Sequence, residues 1–475
     1  MEKQPKKYLI RLFEKWSGKK AIQFSPLPPS GSYRQYFRIS GKEKSAIGVY
    51  NEDVKENIAF LSLTKHFFKK GLNVPEIYSE DIKKNIYLIQ DLGNKTLYKY
   101  LSETRKNRSF PSNAIKIYKK VIEILPQFQI TGDRDLDYSV CYPRSHFDKQ
   151  SMMWDLSYFK HYFLKLVKIP FDEQKLEDDF QNFSDYLLKA DRHFFLYRDF
   201  QSANIMLLNN DLYFIDYQGG RKGALQYDLA SLLFEAKTDI PFDIKNELLE
   251  HYLNNLSKYN PYNRDEFIRY YFGYALIRLM QAFGAFGFRG FYEKKPLFLQ
   301  SIPNAIKNLE WLLKEITFSA IIPTLYMTLE QLVVSQKIKE KTETGNKLKV
   351  YINSFSFYSG TPTDDLSNEG GFVFDCRSVP NPGKYKKYQE FTGQDKVVQD
   401  FFRNKKEVDE FLHNIFALVD QSIKKYQKQN ASKLMVSFGC TGGQHRSVYS
   451  AERLVQHLKK KYDVEIILRH RELEG

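Results

Sequence analysis

The stretch Tyr197-Arg198-Asp199-Phe200-Gln201-Ser202-Ala203-Asn204 sets an Asp and an Asn five residues apart, and Ile215-Asp216-Tyr217 adds a second Asp twelve residues after Asn204. That set of oxygen groups suits phosphoryl transfer from ATP. The reaction asks a protein to take a hydroxyl proton and to hold Mg²⁺ against the phosphates, and little else. Asp199 is the expected base, and Asn204 and Asp216 are the expected hard ligands for Mg²⁺. A polar turn with solvated carboxylates is the plainer alternative, and the apolar runs on either side weigh against it. Leu207–Ile215 reads as strand, Asn-Asn-Asp turn, strand, which would return Asp216 to the side of Asn204.

A second stretch points to phosphate without ATP. Lys433–Phe438 reads as a strand, Gly439–Ser447 as a glycine-rich loop, and Ala451–Lys461 as a helix with apolar residues at 451, 454, 455 and 458. In such a turn the N–H groups of Thr441, Gly442, Gly443 and Gln444, with the positive helix end, face an anion. Arg446 would add a bidentate donor. Cys440 to Ser447 also fits Cys-x₅-Arg-Ser, the pattern of phosphatases that use a thiolate, and donors around Cys440 would lower its pKa. No His precedes the Cys and no general-acid loop stands out. Binding without hydrolysis is the expectation.

The elements that must hold these groups are legible in outline. Lys7–Trp16 has helical apolar spacing, and Ala46–Tyr50 is a short strand. Asp53–Lys70 reads as a helix with Asp53 as N-cap, Glu56 at the capping-box position and Gly71 as its stop. Glu56 is alternatively the helix glutamate that pairs with a phosphate-binding cation in kinases. The strand Ala46–Tyr50 holds no Lys for that pair, which leaves Arg34, Arg38 and Lys44 as candidates. Residues 112–195 read as mostly helical, and Glu266–Phe283 as a long aromatic helix whose run Arg278–Gly284 resembles the acceptor side of sugar kinases.

With Tyr227-Asp228-Leu229-Ala230-Ser231 downstream, residues 20–320 resemble the aminoglycoside phosphotransferase family, most closely its branch of anomeric amino-sugar kinases. The family usually has His where Tyr197 stands. The resemblance implies an α+β, two-lobed, protein-kinase-like fold with ATP and Mg²⁺ as cofactors and a small sugar as substrate. It implies that Ser30, Gly31, Ser32 and Arg34 lie over the nucleotide phosphates, and that Gln90-Asp91-Leu92-Gly93 is the hinge, with Gln90 and Leu92 reading adenine. Farther on, Phe374–Pro382, Phe391–Val398, the loop Cys440–Val448 and Arg469–Leu473 resemble the C-terminal domain of RNase adapter proteins of the RapZ type. That likeness implies a smaller α/β domain binding an amino-sugar phosphate through Cys440, Thr441, Gly442, Gly443, Gln444, His445, Arg446 and Ser447. Asp375 and Arg377 would complete the site by reading the sugar. RNA is a further ligand of the adapter.

Composition sets the outer limits. At 475 residues, 42% apolar and 27% charged, the chain is ordinary globular material for two or three domains. The expected division is a kinase domain over 1–335, a charged linker over 336–347 and the second domain over 348–475. No run reaches the length of a membrane span and no signal core opens the chain. Three scattered cysteines argue against a disulfide framework, so the cytoplasm is expected and the membrane is not. Of the net charge of +15, residues 346–475 hold 21 Lys and Arg against 16 Asp and Glu. The excess is spread along the chain, which permits nucleic-acid binding without demanding it. The rival reading is an RNase-adapter-like regulator that binds RNA or protein on a degenerate kinase scaffold.

Overall fold

The structure, a computed structural model, describes residues 3–28, 34–105, 109–293, 295–335, 348–361, 371–403, 405–428 and 433–474. The expected linker, 336–347, and Ser30, Gly31 and Ser32 lie outside the described residues. The chain divides into two compact units, Met1–Glu293 with Ser301–Ser335, and Lys294–Gln300 with Gln336–Gly475. Among the described residues no helix is long and apolar enough to cross a membrane.

The first unit opens on an antiparallel five-stranded sheet in the order β1-β2-β3-β5-β4, with β1 Gln23–Pro26, β2 Gln35–Ser40, β3 Ser45–Tyr50, β4 Ile77–Asp81 and β5 Ile86–Ile89. The helix Lys3–Ser17 presses Leu9 and Phe13 onto Phe37, Ile39, Ala46, Ile86 and Leu88, all buried. The helix Val54–Lys69 starts where expected: Asp53 accepts the N–H of Glu56 at 3.1 Å. Below the sheet the unit is helical, with two small β ribbons, β6 Phe194–Leu196 with β9 Arg221–Gly223, and β7 Ile205–Leu208 with β8 Asp211–Phe214. Asn209 and Asn210, at φ 50° and 70°, close β7 onto β8, which is the left-handed pair that a two-residue hairpin with right-handed twist requires.

Much of the aromatic content is core. Tyr197 lies within 5.2–5.8 Å, ring to ring, of Phe200, Phe128 and Tyr217. The long helix is Arg264–Phe286, prolonged by one wider turn over Gly287–Tyr292. Gly284 and Gly287 have no room for a Cβ, because the backbone and side chains of Tyr158 and Tyr162 press on them. These glycines let the helix lie close against Lys149–Phe159.

The second unit is a four-stranded parallel sheet in the order β11-β12-β10-β13, from β10 Lys349–Ser356, β11 Gly371–Asp375, β12 Lys433–Cys440 and β13 Glu465–His470. The helices Lys406–Lys428 and Arg446–Lys461 bury Val419, Ile423, Leu454 and Leu458 with Val350, Ile352, Val436 and Phe438. Two sequence expectations move here. The strand runs on through Cys440, and the helix starts at Arg446 instead of Ala451. Ser447 and Ser450 are small enough to be buried against the sheet, so the first turn packs as the later ones do.

Candidate functional sites

Asp199 stands on a loop whose shape is imposed from below. Asp228, fully buried at the start of the helix Leu225–Leu233, accepts the N–H of Tyr197 at 2.8 Å and of Arg198 at 3.0 Å. Burial pushes its carboxyl up to about 7, against the pull of those two donors. Arg198 takes the left-handed backbone (φ 80°), a conformation that a non-glycine residue holds only when its surroundings enforce it. Its guanidinium donates to Asp155 at 2.7 Å and to the Tyr227 hydroxyl at 2.6 Å. Asp199 is thereby turned outward, its side chain 45% exposed, with Arg278 Nη2 at 3.9 Å.

The hairpin does what its sequence promised. Asn204 Nδ2 donates to Asp216 Oδ2 at 3.2 Å and to the Asp199 carbonyl at 2.9 Å. Tyr197 ties the two halves together, its hydroxyl donating to the Ile215 carbonyl at 2.6 Å. Gln218, which sequence reasoning missed, donates to Asp216 Oδ1 at 2.7 Å, and its own Oε1 is buried without a hydrogen-bond partner. Burial, and then the charge of Asp199, raise the carboxyl of Asp216. A nearby cation would reverse both effects, and the unpaired amide oxygen beside it is a hard ligand, so the donor set fits a divalent metal. Among the described residues no three His, Cys, Asp or Glu gather into a metal cluster. One or two carboxylates with substrate phosphates suffice for Mg²⁺.

The three candidate cations left open by the sequence differ in their partners. Arg38 is engaged with Asp91 at 2.7 and 2.9 Å, pinning β2 to the hinge segment, and Lys44 lies over Trp16 at 5.0 Å. Arg34 is the one beside Glu56, Nη2 to Oε1 at 3.1 Å, with its side chain 1% exposed. Asn51 holds the other oxygen of Glu56 at 2.7 Å. Glu56 therefore serves the cation, and the capping is left to Asp53. At the hinge, Gln90 spends its side-chain oxygen on the N–H of Glu76 at 3.3 Å, and Leu92 is buried.

In the second unit the carboxyl ends of three parallel strands meet, Ser356 opposite Cys440 and Asp375 opposite Gly439 in register. That edge is where open α/β sheets take ligands. Asp375 and Arg377 form a fork at 2.6–3.0 Å on the exposed side, and Arg377 lies over Phe357 at 4.4 Å. The hydrogen bond from Arg377, more than its charge, lowers the carboxyl of Asp375. Arg446 turns the other way. It is 5% exposed and donates to the carbonyls of Arg377 at 3.1 Å and Val379 at 3.4 Å, and to Thr441 Oγ1 at 3.1 Å. Cys440 is buried with the core, its Sγ 3.2 Å from Ser447 Oγ. His445 reaches the Tyr388 carbonyl at 2.9 Å, and the Gln444 carbonyl accepts the N–H of Gly393 at 2.8 Å. Gly442 faces open space, and Gly443 (φ 69°) lies under Glu472, whose Oε1 accepts the N–H of Ser356 at 3.3 Å. Glu472 belongs to the run Arg469–Leu473 named above, but sequence reasoning assigned it no part in the loop.

A two-lobed phosphotransferase unit with an outward Asp, an Asn–Asp pair beside it and an arginine–glutamate pair under the sheet is the class these features define. The chain belongs to the phosphotransferase enzyme family, whose model matches residues 26–267. The model of the RapZ C-terminal domain matches residues 348–474. Among curated relatives, a nucleotide-binding protein of Thermotoga neapolitana is 36% identical over 156 residues, 32% of this chain and 52% of that protein. One of Chromobacterium violaceum is 41% identical over 129 residues, 27% of this chain and 43% of that protein. The chain spans about half the length of the curated relatives it matches. Similar solved structures include a choline kinase of Streptococcus pneumoniae (TM-score 0.41, 14% identity, covering 64% of this chain and 99% of that one). A spectinomycin phosphotransferase bound to ADP and spectinomycin has TM-score 0.41 and 11% identity, covering 71% of this chain and 98% of that one.

Proposed function

We propose that residues 1–335 form an ATP- and Mg²⁺-dependent kinase of a small sugar, an amino sugar of the N-acetylglucosamine or N-acetylmuramate kind. Residues 348–475 then form a sensor of an amino-sugar phosphate. The carrying observation is the exposed Asp199 carboxylate fixed beside the Asn204–Asp216 pair. Asp199 takes the hydroxyl proton. Asp216 and Asn204, with Gln218 behind them, hold the metal, which when bound neutralises charge on the phosphates. Arg34, steadied by Glu56, supplies the cation that the strand lacks, and Gln90 and Leu92 bound the adenine. Ser30, Gly31 and Ser32 are the proposed phosphate cover.

In the second unit, the backbone N–H groups of Thr441–Gln444 and the start of the helix at Arg446 take the phosphate. Asp375 and Arg377 read the sugar, His445 and Ser447 fix the loop, and the sunken thiol of Cys440 is structural. ATP consumption measured over a set of amino sugars, with phosphorus NMR of the product, tests the kinase. Calorimetry of the full chain with glucosamine 6-phosphate tests the sensor. Nucleotide binding without turnover on any acceptor, together with RNA retained by the second unit, would establish the adapter-like regulator instead.

A further inference from the structure

Two helices flank the base, and they run in the same direction. Gly284 lies on Tyr158 and Gly287 on Tyr162, so Lys149–Phe159 and Arg264–Phe286 advance together. One turn back along both sets Trp154 level with Gln281. The neighbour of Trp154, Asp155, holds Arg198 at 2.7 Å, the residue before Asp199. From the other helix Arg278 reaches to 3.9 Å from Asp199, with Nε on Ser231 at 3.0 Å and Nη1 on Gln281 Oε1.

Trp154 stands apart from the other tryptophans. Trp16 is stacked on Tyr78 at 4.2 Å and Trp311 on Phe242 at 4.9 Å, whereas Trp154 is 50% exposed. Its ring is attended by the Arg144 guanidinium at 5.6 Å.

Resting on the kinase reading above, we propose that Trp154, Gln281 and Arg278 form the wall on which the acceptor sits, and that this wall selects a neutral or acidic pyranose over a cationic alcohol or amine. A pyranose offers a flat C–H face to an indole and a rim of hydroxyls and acyl oxygens to Gln281 and Arg278. A cationic acceptor meets the Arg278 guanidinium beside the very carboxylate it must approach, in a site partly withdrawn from water where like charges repel strongly.

The full chain with Mg-ATP is assayed on N-acetylglucosamine, N-acetylmuramate, choline and kanamycin. Trp154→Ala should raise KM for the preferred sugar about tenfold, as loss of an aromatic face does, with a smaller fall in kcat. Trp154→Phe should retain most of the affinity. Arg278→Ala should shrink the sugar-to-choline ratio of kcat/KM on the order of tenfold, and Arg278→Lys should preserve it. Sugar titration should change tryptophan fluorescence in the wild type and leave it unchanged in Trp154→Phe. Preference for choline or kanamycin overturns the proposal, and so does a sugar KM that Trp154→Ala leaves alone while phosphorylation proceeds. Absence of turnover on every acceptor removes the kinase reading instead. The fluorescence titration then decides the wall by itself, supporting it if the change is lost with Trp154 and overturning it if no sugar moves the signal.

Discussion

The two loops proposed to carry this protein's chemistry are built on one device with the sign reversed. Under the Asp199 loop sits a buried anion, Asp228, which gathers backbone N–H groups. Under the Gly442 loop sits a buried cation, Arg446, which gathers backbone carbonyls. In each, the buried ion shapes the loop and leaves other groups facing outward, the ones proposed above to bind. A charged residue inside a motif is therefore not by that fact a ligand. In the first loop the outward group is another carboxylate, and in the second it is backbone N–H at a helix start.

The sharpest way to break this symmetry is to remove the outward group of the first loop. Asp199→Asn should lower kcat on the order of 10²–10⁴-fold, the usual contribution of a positioned base, while Mg-nucleotide affinity measured by titration stays close to wild type. If both fall together, Asp199 is shaping the loop and the comparison fails.

Next is the buried cation. Arg446→Ala strands two carbonyls and the Thr441 hydroxyl, and should cost the second unit about 1.5–3 kcal/mol in stability, read by denaturant unfolding. Loss of sugar-phosphate affinity with stability untouched would make Arg446 a direct ligand after all.

The buried anion gives a pH test. Asp228 titrates near 7 in the fold and near the ordinary carboxylate value when unfolded. Between those values the native state binds a proton that the unfolded chain has lost, so its contribution to stability declines as pH rises through the window. Relative to Asp228→Asn, the wild type should lose roughly 2.5 kcal/mol between pH 5 and pH 8. A parallel pair of melting profiles would mean that the two N–H groups hold the carboxylate ionised throughout.

The smallest effect sharpens the second loop. Cys440→Ser should change sugar-phosphate affinity by less than about 0.5 kcal/mol, as for a site away from the ligand. Its calorimetric titration should overlay that of the wild type. Phosphate release that disappears in this variant would instead put the thiol in contact with substrate.

What the sequence disclosed follows from how local each feature is. Asp199, Asn204 and Asp216 were readable because a hairpin of fixed length joins them, and the turn residues Asn209 and Asn210 announce that hairpin. That Arg34 pairs with Glu56 and Arg38 with Asp91 was not legible, since each partner lies on a different element, the helix Val54–Lys69 or the segment after Ile89, far away in sequence. Gln218 was passed over because a lone amide carries no pattern, and Glu472, though in a recognised run, because nothing local says which loop it touches. Gln218 matters through Asp216, and Glu472 through Gly443 and the N–H of Ser356. The inward turn of Arg446 was hidden for a related reason. Its acceptors are carbonyls of a distant run, and carbonyls have no letter in the sequence.

One residue that departs from the resembled family has a consequence for how the kinase unit answers to its medium. The strap from Tyr197 to the Ile215 carbonyl is a phenol whose pKa burial raises well above its ordinary value. A histidine in that place would change its protonation near neutrality and could fasten or release the two halves of the site with it. The phenol stays a donor at any acidity the fold survives. The Asp199 loop thus has a clasp that is indifferent to protons, so acidity reaches it through its carboxylates, with Asp228 beneath the loop among them.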